Sequence, residues 1–395
     1  MRVDTARRSL PFLTVLALTL LLAAGCAGQS ATPQPEPTAI PTDLPPTVEP
    51  ASQQVAPTPS PEPSPDPTAT PEPPPSPTPQ PTVTPTEPVP APEPTATREP
   101  SIQEYPVPDG AHPHDVAPAP DGSVWYTAQH QGALGRLDPV TGETHQISLG
   151  AGSSPHGVIV GPDGAPWVTD GGLNAIVRVD PGTERLQTYP LPPDTGYANL
   201  NTAAFDANGV LWFTGQSGIY GRLNPGTGQV EVFQAPRGRG PYGIATTPDG
   251  DVYYASLAGS HIARIDTESG EATVLEPPTA GQGARRVWSD SQGRIWVSEW
   301  NAGQVAVYDP AVETWREWRL PGDRPQAYAV FVDELDKVWL TDFGSNAIVR
   351  FDPTDETFAV FDLPSAGAAV RQILGRPGEL WGAESATNKL VVVRY

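Results

Sequence analysis

One cysteine, Cys26, stands in a chain of 395 residues. Everything after it must hold together without a disulfide, and offers neither a thiol nucleophile nor a cysteine-based zinc site. Basic side chains are also scarce. Residues 101–395 carry 35 acidic against 19 basic groups, a net charge of −16, with no basic stripe. Nucleic-acid binding draws its affinity from neutralised phosphates, so that class of function is excluded. The main apolar run, Leu10 to Ala24, has 15 residues, short of the roughly 20 that a membrane span needs. There is no Gly-x-Ser-x-Gly elbow, and the glycines sit in hairpin pairs rather than in a phosphate-binding loop.

What the chain does contain falls into three parts. Arg2, Arg7 and Arg8 precede the apolar run, which ends at Gly25-Cys26. Residues 1–26 therefore read as an export signal, with Cys26 as a lipid-anchor site. The ending resembles a bacterial lipoprotein box, although Ala23 stands where leucine is usual. Residues 27–100 hold 26 of the 52 prolines and show no apolar periodicity, so they read as a disordered, extended tether. The expected location is an exported lipoprotein of the cell membrane, with its domain outside the cytoplasm and only the lipid touching the bilayer.

Residues 101–395 are periodic. Trp125, Trp167, Trp212, Tyr253, Trp296, Trp339 and Trp381 recur at spacings of 42, 45, 41, 43, 43 and 42 residues, which makes seven copies of one unit. Each reads as four strands; in the second copy they are 156–160, 166–170, 176–180 and 186–190. Asp121-Gly122, Asp163-Gly164, Asn208-Gly209 and Asp249-Gly250 supply the positive φ of a tight hairpin; the sixth unit has Leu335-Asp336 and no glycine there. Residues 390–395 match a third strand, and residues 102–108 match a fourth. The start of the domain thus supplies the missing outer strand and closes a ring, leaving only short protected edges. The fold expected is all-β: a monomeric seven-bladed β-propeller of four-stranded blades, with the tryptophans packed between blades.

In such a ring the start of the first strand and the end of the second open on one mouth of the central channel. Eleven residues before the anchors stand His114, His156, Asn201, Tyr242, Arg285, Tyr328 and Val370. Three after them stand Ala128, Asp170, Gly215, Ser256, Glu299, Asp342 and Glu384. Framework positions of a repeat stay alike, whereas these diverge among polar types. Tyr242, Arg285, Glu299, Asp342 and Glu384 are therefore candidate binding residues at the mouth. His114 and His156, equivalent in neighbouring blades, are candidate catalytic residues, since imidazole exchanges its proton near neutral pH. Carboxylates gathered with imidazoles also suit a hard divalent cation, with Asp170 a candidate ligand. His112 adjoins the pair; His130, His145 and His261 read as loop or strand-surface residues.

The pieces Pro155-His156-Gly157-Val158, Pro162-Asp163-Gly164, Trp167-Val168-Thr169-Asp170 and Asn174-Ala175-Ile176-Val177-Arg178 resemble the signature of streptogramin B lyases, also called virginiamycin B lyases. The similarity extends over about residues 101–395. It implies a carbon–oxygen lyase that opens a cyclic ester, a depsipeptide or lactone, by elimination with a magnesium ion. It further implies His156 as the base that removes the proton α to the ester carbonyl, and His114 as the group orienting ester or metal. Asp170 would hold the magnesium, whose charge would stabilise the enolate. Ser154 and Ala128 stand where the family has glutamates, and the histidine pair falls in the first two blades rather than the last two. Two other readings remain open. A hydrolase similar to calcium-dependent sugar lactonases would use Glu299, Asp342 or Glu384 as ligands. A non-catalytic propeller of the cell envelope would bind a sugar, peptide or envelope ligand without turnover, a role the tether suits.

Overall fold

The structure is a computed structural model that describes residues 100–395; Cys26, the signal segment and the tether as far as residue 99 lie outside the described residues. The described strands form seven four-stranded antiparallel sheets arranged as a seven-bladed β-propeller. Blade 2 is typical. Its strands, Pro155–Val160, Pro166–Asp170, Ala175–Val179 and Leu186–Pro190, fall within one residue of those expected from the repeat. The sixth hairpin manages without glycine because Asp336 itself takes φ 56°, a left-handed conformation that aspartate tolerates better than most residues.

Ring closure follows the expected route. In blade 7 the strands Val370–Arg376, Glu379–Glu384 and Lys389–Arg394 are completed by Ser101–Pro106 from the other end of the domain. The register runs from Ser101 opposite Arg394 to Pro106 opposite Lys389. Tyr105 packs on Trp381, with ring centroids 5.5 Å apart, and Lys389 Nζ donates to Glu104 Oε2 at 2.5 Å.

The anchoring aromatic rings are buried between blades. A buried indole N–H needs an acceptor, and the first hairpin of a blade supplies it. Trp212, Trp296 and Trp339 donate to Asp206, Asp290 and Asp333 at 2.9, 2.9 and 2.7 Å. An arginine on the third strand then covers the ring, as Arg136 covers Trp125 at 5.3 Å and Arg350 covers Trp339 at 5.5 Å. These rings are framework, as the repeat implied.

The innermost strand of every blade carries a register shift near its start, between Pro113 and Val116 in blade 1 and at the equivalent point in the other six. The extra residue of a bulge stands outside the ladder, so two successive side chains reach the channel instead of one. The freed N–H is recovered by a hydroxyl on the second strand. Asp115 N–H donates to Thr127 Oγ1 at 3.0 Å, and that hydroxyl donates to the His156 carbonyl at 2.9 Å. Ser298 links Arg286 N–H to the Tyr328 carbonyl in the same way, at 3.1 and 2.8 Å. Each such hydroxyl fixes the channel residues of its own blade relative to those of the next.

Candidate active site at the channel axis

The first position of the bulge gives a ring of His114, His156, Asn201, Tyr242, Arg285, Tyr328 and Arg371. Counting back from the tryptophan selects Val370 in blade 7, but Val370 pairs with Glu384 and it is Arg371 that points inward. The cause is the first hairpin of that blade, which is shorter: Leu374 lies opposite Trp381, whereas Phe331 lies opposite Trp339. The second bulge position adds Asp115, Thr202 and Arg286. A count from the repeat anchors does not reach them, because a bulge is invisible in a repeat alignment. The signal available was a charge inside an otherwise apolar inner strand.

His114 and His156 face each other with ring centroids 3.8 Å apart, and both are buried. Their hydrogen bonds make them opposite in polarity. Asp115 Oδ1 lies 2.7 Å from His114 Nδ1; an ionised carboxylate only accepts, so Nδ1 carries the proton and Nε2 keeps its lone pair. On the other side, Arg286 donates to Thr202 Oγ1 at 2.6 Å, and Thr202 donates to Asn201 Oδ1 at 2.8 Å. The Asn201 amide nitrogen is thereby turned toward His156 Nε2, 3.2 Å away. Nε2 of His156 accepts, so its proton sits on Nδ1, a buried donor that has no partner. Arg286 also bridges the channel to Asp115 at 3.1 Å, and its charge favours the ionised carboxylate against burial, which raises the pKa. One histidine offers a lone pair and its neighbour offers a proton.

Burial drives the pKa of His114 well below the ordinary imidazole value, and Arg286, Arg371 and Arg285 add to the effect. His156 is lowered likewise, first by burial and then by His114. Both are neutral at physiological pH, so the lone pair is available without prior deprotonation.

Of the sequence-derived candidates, Tyr242, Arg285 and the two histidines come together. Tyr242 Oη lies 2.7 Å from Tyr328 Oη and accepts from Arg285 at 2.9 Å. The carboxylates do not join them. Asp170 pairs across the ladder with Pro155, one residue before His156, and strand alternation sends it the other way. Its Oδ1 accepts from the N–H groups of Ser154, Gly172 and Leu173 at 2.9, 3.0 and 2.9 Å. Asp342 serves its own loop similarly, through Gln326 and Gly344. Glu299 accepts from Gln304 and Glu384 from Thr387, each at 2.6 Å, and each leaves a second oxygen buried without a partner. Among the remaining histidines, His130 stacks on His112 at 4.0 Å and His145 pairs with Glu184 at 2.9 Å. His261 is not a surface residue; it is buried on the third strand of blade 4.

Burial pushes Glu299 up to about 8, the Gln304 hydrogen bond notwithstanding. Its folded pKa exceeds its unfolded value, so the stability it supports is present at low pH and is lost as pH rises from about 4.5 to 8. Glu299→Gln should therefore be near-neutral at pH 5 and stabilising at pH 9, by on the order of 3 kcal/mol. Denaturant unfolding at the two pH values checks this, and an equal difference at both would count against it.

His114, Asp115 and His156 offer ligand atoms within 4.8 Å of one another, close enough for one small cation. The donors do not fit magnesium. That ion takes oxygen ligands in a strict octahedron, whereas two of these three are imidazole nitrogens, which suit transition metals. The one carboxylate is already bound to His114 and Arg286, and the surrounding arginines oppose a dication.

Comparison with known proteins agrees with this architecture. The sequence profile of the Virginiamycin B lyase family matches residues 95–314. Virginiamycin B lyase from Staphylococcus aureus superposes with a TM-score of 0.70 at 20% identity, over 75% of this chain and 100% of that one. A streptogramin B lyase structure gives 0.69 at 22% identity, over 75% and 97%. A catalytically inactive histidine-to-alanine variant of the Staphylococcus aureus enzyme with quinupristin gives 0.69 at 20%, over 75% and 100%. A search of curated proteins finds no match. With seven blades, a histidine pair at the axis and a profile match over more than half its length, the chain belongs to the Virginiamycin B lyase family.

Proposed function

We propose that this propeller is a carbon–oxygen lyase that opens a cyclic ester, a depsipeptide of the type B streptogramin class or a related lactone, by elimination. The single observation that carries the reading is the histidine pair, with ring centroids 3.8 Å apart, one ring keeping a lone pair on Nε2 and the other a proton on Nδ1. His114 Nε2 takes the proton from the carbon α to a carbonyl. The electron pair forms the Cα–Cβ double bond, the Cβ–O bond breaks, and the ester acyl group departs as a carboxylate. His156 Nδ1–H donates to the carbonyl oxygen on which enolate charge develops. This division of labour reverses the one implied by family resemblance, and it rests on the Asp115 and Asn201 hydrogen bonds. No step passes through a metal. The inactive histidine variant of the Staphylococcus aureus relative is consistent with a histidine-dependent reaction. Arg2, Arg7 and Arg8 ahead of an apolar run that ends at Cys26 support placement as a lipoprotein outside the cytoplasm.

The test is to incubate the purified protein with a type B streptogramin and weigh the product. Elimination leaves the mass unchanged; hydrolysis adds one water. His114→Ala should abolish turnover, and a chelator should leave it intact. The acid limb of the rate profile should lie below the ordinary imidazole range, because the lowered pKa of His114 keeps its lone pair free to lower pH. A product heavier by one water would end this reading, and no product from folded protein would remove the streptogramin as substrate.

A further inference from the structure

We infer that Arg285 and Arg371, with the Tyr242–Tyr328 pair, form a carboxylate-binding site at the channel axis. Two guanidinium groups stand there without an acidic partner among the described ion pairs, in a domain whose net charge is −16. Arg286, by contrast, is matched by Asp115. Both are half-buried; even partial withdrawal of a cation from water without a counter-charge is unfavourable, and aromatic faces compensate only in part. Arg285 Cζ lies 3.5 Å from the Tyr328 ring centroid, 4.5 Å from that of Tyr242 and 5.0 Å from that of Trp300. Arg371 also reaches Tyr328, with its Nη1 donating to the phenol oxygen at 3.4 Å.

The hydrogen-bond balance points to the same ligand. Arg285 donates to Tyr242, and the two phenols share a hydrogen bond at 2.7 Å. Arg285 Nε, Arg286 Nε and His156 Nδ1 are buried and unpartnered, and all three are donors in the protonation state derived above. Asp115, the one carboxylate in this network, is already taken. A surplus of donors and positive charge calls for an acceptor-rich anion. Trp300 and Phe343 flank Tyr328 at 5.6 and 4.7 Å. They also wall a cleft of about 690 Å³, together with Arg319, Asp323, Arg324 and Gln326. The carboxylate fitted by this surround is one carried on an aromatic or bulky group. In the elimination proposed above the departing group is a carboxylate, so Arg285 and Arg371 would receive it and offset its charge. That role rests on the lyase reading; carboxylate binding does not.

Calorimetric titration of the purified full chain with phenylacetate, and with phenylacetamide as its neutral counterpart, tests the site. Phenylacetate should bind on the order of tenfold more tightly, and Arg285→Gln or Arg371→Gln should remove about that factor. Arg285→Lys should restore part of it. Equal affinity for acid and amide in the wild-type protein would overturn the inference without recourse to any variant. So would unchanged phenylacetate affinity in a folded Arg285→Gln protein. Turnover of a cyclic ester without carboxylate preference would sink this site and leave the lyase reading standing. Carboxylate preference without turnover would do the reverse.

Discussion

Replacing Asp115 with asparagine should lower turnover by about 10³–10⁴-fold, the size of effect seen when a catalytic histidine loses the carboxylate that sets its tautomer. Asp115 Oδ1 accepts from His114 Nδ1 at 2.7 Å. An amide in its place can present its N–H₂ to Nδ1 instead, which moves the imidazole proton to Nε2 and removes the lone pair that takes the substrate proton. The same substitution leaves Arg286 buried without its counter-charge, and breaking such a pair costs about 3–5 kcal/mol. Activity and stability would then fall together, so a second protein is needed. In Asp115→Asn with Arg286→Met the orphan cation is gone. Stability should recover in large part while turnover stays low, since the tautomer is still uncontrolled. Nitrogen-resolved NMR of His114 gives a readout apart from rate: the proton should reside on Nδ1 in the wild type and leave it in both variants. Turnover within tenfold of wild type in folded Asp115→Asn would refute the assignment of His114 as base.

The repeat made the architecture legible and left the chemistry half-read. Seven aromatic anchors at near-constant spacing, Asp-Gly hairpins and an orphan fourth strand are local signals, and the blades follow them within about a residue. His114, His156, Tyr242 and Arg285 were legible because they occupy equivalent positions counted from those anchors. What failed was the assumption of a regular ladder. The bulge at the start of each inner strand brings a second side chain inward, so Asp115, Thr202 and Arg286 stand at positions a regular repeat does not mark. One shortened hairpin displaces the count by a residue and puts Arg371 where Val370 was expected. Read as charges, Asp170, Glu299, Asp342 and Glu384 fall at the channel mouth. All four are buried, and each accepts from a loop N–H, amide or hydroxyl of its own blade. Composition gave a strongly acidic domain, whereas its axis holds three arginines against one carboxylate. Net charge does not report where opposite charges gather.

Removing residues 100–106 should cost more stability than any single substitution in the domain and should open the ring. The strand Ser101–Pro106 contributes six paired positions to Lys389–Arg394. Its Tyr105 is buried against Trp381, Leu390 and Val392, and the Tyr105 phenol donates to the Pro139 carbonyl at 3.1 Å while accepting from Arg394 at 3.2 Å. Tyr105→Ala alone should destabilise by about 3–5 kcal/mol, as truncating a buried aromatic side chain does. Deleting the strand adds the loss of the ladder and of the Glu104–Lys389 pair, and uncovers an edge along Leu390–Val393. Against a typical total of about 5–15 kcal/mol, that loss removes most of the margin. The exposed edge also becomes a template for pairing between molecules. The site should fail with the ring, because blade 7 carries Arg371 and its Gln372 accepts the Val116 N–H of blade 1 at 2.8 Å. Thermal unfolding and size-exclusion chromatography would show a large fall in Tm together with oligomers. A peptide of residues 100–108 added in trans should restore the monomer by refilling the strand position. A truncated protein that stays monomeric and melts within a few degrees of the full chain would mean that the ring is held by blade packing alone, and that closure by this strand is dispensable.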